Sequence, residues 1–123
     1  MIYECDVLDI CELSDFDVFT TLLSAAAHDM DHPGTNNFLE INCKSKLALL
    51  YNDQSVLENH HAASYFFLLD NSKHDCNVLK NFTTAEIKEL RRATIDNILC
   101  TDNSNHAQIY NEMKTLSETI PSD

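Results

Sequence analysis

Turn-forming residues are nearly missing from this chain, which holds one Gly and two Pro in 123 residues. That scarcity argues against a many-turned β architecture and for helices joined by short connections. Long apolar runs are also missing. Nothing approaches the roughly 20 consecutive apolar residues of a membrane span. The first residues are acidic rather than basic and then apolar, so no secretory leader is expected. Lys and Arg are absent before Lys44, while Glu4, Asp6, Asp9, Glu12, Asp15, Asp17, Asp29, Asp31 and Glu40 all precede it. The formal net charge is −12. Such a field repels nucleic acid and anionic lipid, so neither is expected as a partner, and it favours divalent cations. The stretch from Glu4 to Asp17 is read as a solvated acidic face. Paired cysteine spacing is the last absence. Cys5, Cys11, Cys43, Cys76 and Cys100 are odd in number and form no CxxC. A disulfide framework or zinc knuckle does not fit, and the expectation is free, buried thiols in a reducing, cytoplasmic compartment.

What remains is enough for one small core, since apolar residues make up 44% of the chain. No segment alternates with period two, and several repeat with the helical period. Ser14 is a candidate N-cap for a helix that turns Phe16, Phe19, Leu23, Ala26, Ala27 and Met30 to one side. That helix should end near Asp31, because Pro33 follows. Two short pieces, each a helix or a turn, are expected at 36–43 and 45–51. A longer helix should run from about Ser55 to Leu69, capped by Asn52 or Asp53, with Val56, His60, Ala63 and Phe67 on one face. Thr83-Thr84-Ala85-Glu86 is a capping box that opens a helix to about Thr101, with Ile87, Leu90, Thr94 and Ile98 inward. The last helix, about Asn105 to Glu118, should bury Ile109, Met113, Leu116 and Ile120. The fold class is all-α, a multi-helical bundle. Lys73 to Asn81 is an irregular connection too short to divide it.

Two blocks carry chemistry. The first runs His28-Asp29-Met30-Asp31-His32-Pro33-Gly34-Thr35-Asn36-Asn37-Phe38. It sets two imidazoles and two carboxylates within five residues, at a point where proline stops a helix and leaves them open. Adjacent His and Asp can aim a nitrogen and an oxygen at one divalent cation. The second block runs Leu49-Leu50-Tyr51-Asn52-Asp53-Gln54-Ser55-Val56-Leu57-Glu58-Asn59-His60-His61. Taken singly, most of these residues have plainer explanations. His60 or His61 alone reads as a hydrogen-bonded core histidine, Asp53 as an N-cap, and Glu58 as a surface charge. Asp31 reads as a solvent-facing residue or a helix stop. His74 and His106 match nothing.

Together, in this order and spacing, the blocks resemble the class I 3',5'-cyclic nucleotide phosphodiesterases. The resemblance implies the central portion of an all-α catalytic domain. It implies hydrolysis of cAMP or cGMP to the 5'-monophosphate by hydroxide activated between two divalent cations, Zn2+ with Mg2+ or Mn2+. His28 matches a ligand of the tighter metal and Asp29 the bridging carboxylate. His32 and Glu58 match residues that hold metal-bound water. His60 and His61 match the paired histidines that follow. Thr101-Asp102 falls where the family has a Thr-Asp pair beside the metal pocket, although Asn103 stands where Met is usual. His28, Asp29, His32, Glu58 and Thr101 should therefore face one pocket.

Parts of the family pattern have no counterpart here. The upstream HNxxHAxD motif supplies the proton-donating histidine, and no His precedes His28. The later metal aspartate, in a His-x-x-Asp context, and the purine-gripping glutamine are not matched either. The chain is therefore expected to be an internal piece of the domain, inactive alone, with some apolar helix faces uncovered. The longer protein could form a homodimer. Two other readings stay open: a related HD-type phosphohydrolase acting on another phosphoester, and a non-catalytic interaction module.

Overall fold

The computed structural model describes residues 10–71, 73 and 75–119. Among these, every regular element is a helix: α1 Asp15–Ala27, α2 Asn37–Asn42, α3 Lys46–Leu50, α4 Val56–Asp70, α5 Thr84–Leu99 and α6 His106–Thr119, with a 3-10 turn at Asn103–Asn105. The all-α expectation holds. None of these helices is long and apolar enough to cross a membrane.

Local capping explains most of the starts. Ser14 Oγ accepts from the Asp17 amide while Asp17 accepts from the Ser14 amide, a reciprocal box that opens α1. Thr83 and Glu86 do the same for α5. Asn36 caps α2 through the Leu39 amide, and Ser45 caps α3 through the Ala48 amide. Helix α4 departs from this pattern. Neither Asn52 nor Asp53 caps it. Both carry left-handed backbone, and Ser55, at φ 39°, occupies the cap position without a side-chain bond to the helix. The reversal from α3 into α4 is made in left-handed steps, which Asn and Asp tolerate.

Helix α1 ends earlier than expected. It stops at Ala27, and the Met30 amide bonds back to the Ala27 carbonyl three residues away. Asp31, at φ 59°, then turns the chain toward Pro33. His28 to Asp31 thus leave the helix axis as a tight turn.

The core lies where α1, α4 and α5 meet. Ala27, Ala62, Tyr65, Leu69, Leu79, Leu90 and Ile98 form its buried cluster, flanked by Phe16, Phe19 and Phe82. The inward face of α5 is as expected, with Leu90, Thr94 and Ile98 buried. On α1, Ala26 is exposed, while Thr20 and Ser24 are buried. Ser24 tolerates burial because its hydroxyl donates to the Thr20 carbonyl and accepts from Asn97. On α4 Val56 is fully buried as expected, but the rest of the chosen face differs. Leu57, His61, Tyr65 and Leu69 point inward, and Phe67 is 76% exposed. Much of α4 is apolar all round, so its pattern does not select a face.

Helix α6 is the largest departure. Met113 and Leu116 are 65% and 64% exposed, Ile109 is half-buried, and Ile120 lies outside the described residues. Among the described elements α6 packs only on the 3-10 turn, so nothing there covers its apolar stripe. The cysteines differ too. The four described ones are free, but Cys11, Cys43 and Cys100 are exposed and Cys76 is half-buried. Cys43 and Cys100 sit at helix C-caps, where the chain surfaces. Cys5, His74 and the acids Glu4, Asp6 and Asp9 lie outside the described residues. Of the remaining early acids, Glu12, Asp15 and Asp17 are exposed, as a solvated face requires, but Glu40 is buried.

Candidate metal centre

The turn after α1 aims its polar side chains at the N-terminus of α4 and the C-terminus of α5. A cavity of about 590 Å³ opens there, and His28, Asp29, His32, Glu58 and Thr101 all line it. The five residues expected to share a pocket do share one. His61, Asp102 and Asn103 add to the polar wall, with Thr35, Asn36 and Asn37. His60 and His106 are not part of it.

The ring protons follow from the hydrogen bonds. His28 Nδ1 lies 2.8 Å from the Ala25 carbonyl, and His61 Nδ1 lies 2.7 Å from the Met30 carbonyl. A carbonyl only accepts, so both neutral rings carry their proton on Nδ1 and leave a lone pair on Nε2. Those lone pairs face Asp29. His28 Nε2 is 3.1 Å from Asp29 Oδ2, and His61 Nε2 is 3.9 Å from Oδ1. Acceptors aimed at one another need a cation between them or a proton on the ring. This donor set, carboxylate and imidazole with the far ring nitrogen anchored on a carbonyl, is what a divalent metal site uses. Ligand atoms of Asp29, His32 and His61 all lie within 4.8 Å of one another.

His32 is built the other way. The Gly34 amide donates to its Nδ1 at 3.0 Å, so the proton of the neutral ring sits on Nε2. His32 is thus a donor toward the cavity. Its ring stacks on His61 with centroids 5.3 Å apart. His60 diverges from its neighbour. Its Nε2 sits 3.1 Å from the Asp31 carbonyl and 3.0 Å from the Asp31 carboxylate, in a groove beside Met30 and Phe67.

The far wall is held by long-range bonds. Glu58 Oε2 accepts from Asn37 Nδ2 at 2.8 Å, and Asn37 Oδ1 accepts from the Leu57 amide at 2.8 Å. Thr101 spends its hydroxyl on the Ile98 carbonyl at 2.7 Å. Asp102, buried, accepts from the Ser55 hydroxyl at 2.7 Å and from the Ser104 amide at 2.9 Å. Burial pushes the Asp102 carboxyl up, but hydrogen bonds from Ser104 and Ser55 outweigh it and hold the group below the usual carboxylate range. Glu40, behind the turn, is also held low by hydrogen bonds from Ser45 and Thr35.

Two of these residues have little or no signal in the local sequence, although the family resemblance matches His61. His61 joins the carboxylate–imidazole cluster, and its only local signal is the three-residue spacing from Glu58. Asn37 has none, because its partners lie 20 and 21 residues away.

The family described as 3'5'-cyclic nucleotide phosphodiesterase matches residues 1–122. The chain belongs to that family. Its phosphodiesterase relatives include the 3',5'-cyclic-AMP phosphodiesterase 4C of Mus musculus, 44% identical over 106 residues, which cover 86% of this chain and 15% of that protein. The 3',5'-cyclic-nucleotide phosphodiesterase regA of Dictyostelium discoideum is 42% identical over 111 residues, covering 90% of this chain and 14% of that protein. The crystal structure of the phosphodiesterase domain of the RhoPDE fusion protein from Salpingoeca rosetta superposes with a TM-score of 0.78 at 41% identity. That match covers 84% of this chain and 32% of that one. The chain therefore spans about a seventh of the length of these curated relatives and a third of the solved domain.

Proposed function

We propose that this chain is the central, metal-holding segment of a catalytic domain that hydrolyses the 3' ester of a 3',5'-cyclic nucleotide to the 5'-monophosphate. The observation that carries the reading is the convergence of His28 and His61 lone pairs on the Asp29 carboxylate, at the wall of a cavity shared with Glu58 and Thr101. The donor set suits divalent cations, with His28 and Asp29 as ligands and His61 within reach of the same carboxylate. When bound, two such ions, Zn2+ with Mg2+ or Mn2+, would activate water and offset the phosphate's negative charge.

The chain's own residues do the rest. Asp29 presents two carboxylate oxygens and would hold metal with them. The His32 Nε2 proton and the Glu58 carboxylate face one cavity as donor and acceptor, the pair needed to orient a water molecule for attack. The protein's negative charge disfavours a phosphodiester in the bare site, so substrate affinity depends on the cations. No His precedes His28, so this chain has no residue in the place of the family's proton donor. A general acid contributes roughly 10²–10⁴ in rate, and by itself the chain gives no measurable turnover. The relatives named above make cAMP the first substrate to assay and cGMP the second. The free thiols fit a cytoplasmic signalling role.

A graft tests the reading. Residues 13–119 replace their counterparts in the Salpingoeca domain, and cAMP and cGMP hydrolysis is followed with Mn2+ or Zn2+ and Mg2+. The chimera should turn over a cyclic nucleotide, lose activity to a chelator, and lose at least about 10³ on Asp29→Asn, because a neutral amide lacks the charge that holds a divalent cation. A cooperatively folded chimera without turnover would sink the proposal. So would chelator-sensitive hydrolysis by the 123-residue chain alone, since it would show that the residues named here as missing are not needed.

A further inference from the structure

The first turn of α4 carries Glu58 into the cavity, yet that helix has no cap of its own. Helix N-termini leave several amides without intrahelical partners. Ser55 holds the cap position, but its side chain caps no amide of the helix, and its hydroxyl goes to Asp102 instead. The cap comes from elsewhere. Asn37, the first residue of α2, places its Oδ1 on the Leu57 amide and its Nδ2 on the Glu58 carboxylate, both at 2.8 Å. Its neighbour Asn36 caps α2 itself. Two adjacent asparagines thus start two different helices.

We propose that Asn37 is the positioning residue of this site: one carboxamide caps α4 from outside and locks the Glu58 carboxylate toward the cavity. This rests on the reading that Glu58 works there. The chemistry requires an amide. Only Asn at this reach offers an acceptor and a donor on one planar group, the acceptor for the backbone and the donor for the carboxylate. Without the donor, the three side-chain torsions of Glu58 are free to populate several rotamers. The link also ties the His28–His32 turn, five residues upstream of Asn37, to the helix that carries Glu58 and His61.

The two bonds separate by mutation. Asn37→Asp keeps an acceptor for the Leu57 amide and sets a like charge against Glu58. Asn37→Ala removes both bonds. The readouts are Leu57 amide exchange and the three-bond side-chain couplings of Glu58, by NMR on the chain. The parent should show one Glu58 rotamer. Asn37→Asp should leave Leu57 protection within about twofold and average the Glu58 couplings. Asn37→Ala should average them and speed Leu57 exchange about fivefold, the usual effect of losing a cap. Pairing Asn37→Asp with Glu58→Gln exchanges donor and acceptor and should restore the single rotamer. Averaged couplings in the parent, or unchanged ones in Asn37→Asp, overturn the proposal. If the Asn37 variants fold poorly, Glu58→Ala decides. Leu57 protection should persist there while the Asn37 side-chain amide protons lose their hydrogen-bonded shift, and unchanged amide signals would refute the link. A parent chain that orders Glu58 but binds no Mn2+ refutes the metal reading and supports the positioning role.

Discussion

Replacing Asp102 probes the joint between the two helices that wall the cavity. The Asp102 side chain sits in a residue only 8% exposed and accepts two hydrogen bonds, from the Ser55 hydroxyl and the Ser104 amide. Hydrogen bonds to a charged group contribute about 1.5–3 kcal/mol each. Ser104 is exposed, so water recovers part of its bond when the carboxylate goes. Relief of the carboxylate's burial offsets a little more. Asp102→Ala should therefore cost about 2–4 kcal/mol, a large share of the roughly 5–15 kcal/mol of a typical domain. Asp102→Asn keeps an oxygen for Ser104 and offers an N–H to the Ser55 hydroxyl, so it should cost only about 1 kcal/mol. Urea denaturation gives both values from the midpoint at unchanged slope. Hydrogen exchange should locate the loss at the first turn of α4, because Ser55 is the residue released. Asp102→Ala within about 0.5 kcal/mol of the parent, or Asp102→Asn as damaging as alanine, would refute the reasoning.

Other variants test the remaining links. Leu90 is fully buried, so Leu90→Ala should cost about 3–4 kcal/mol, whereas Met113→Lys and Leu116→Lys on exposed α6 should change stability by under about 0.5 kcal/mol; equal losses in urea melts would contradict the described packing. His28→Ala and His61→Ala should weaken Mn2+ binding about 10–100-fold by calorimetry while His106→Ala leaves it unchanged, and identical affinities would remove these imidazoles from the metal site. The carboxyls of Asp17, Glu40, Glu86 and Asp102 are all held low in the folded chain. Their contribution is complete above the ordinary carboxylate range and is lost as pH falls through the depressed values. The melting midpoint should hold down to about pH 5 and drop between about pH 4 and 3, and a midpoint at pH 3 equal to that at pH 6 would exclude this linkage.

The sequence by itself determined what short-range bonds control. Ser14 with Asp17, Thr83 with Glu86, Asn36 and Ser45 each reach an amide three residues away, so these starts are written locally. Pro33 forbids α1 to continue through it by local sterics, although the helix stops six residues earlier, at Ala27, where the Met30 amide turns back. Tertiary structure decided the rest, because partners distant in sequence leave no periodic trace. Which way α4 faces depended on what α1 and α5 offered it. That choice sent His61 to the cavity and His60 to Asp31. The α4 cap comes from Asn37, and the tie from Ser55 to Asp102 spans 47 residues. Exposure of Cys43, Cys100, Met113 and Leu116 followed the same rule: an apolar pattern states what a side chain can bury against, and only the packed chain supplies the neighbour.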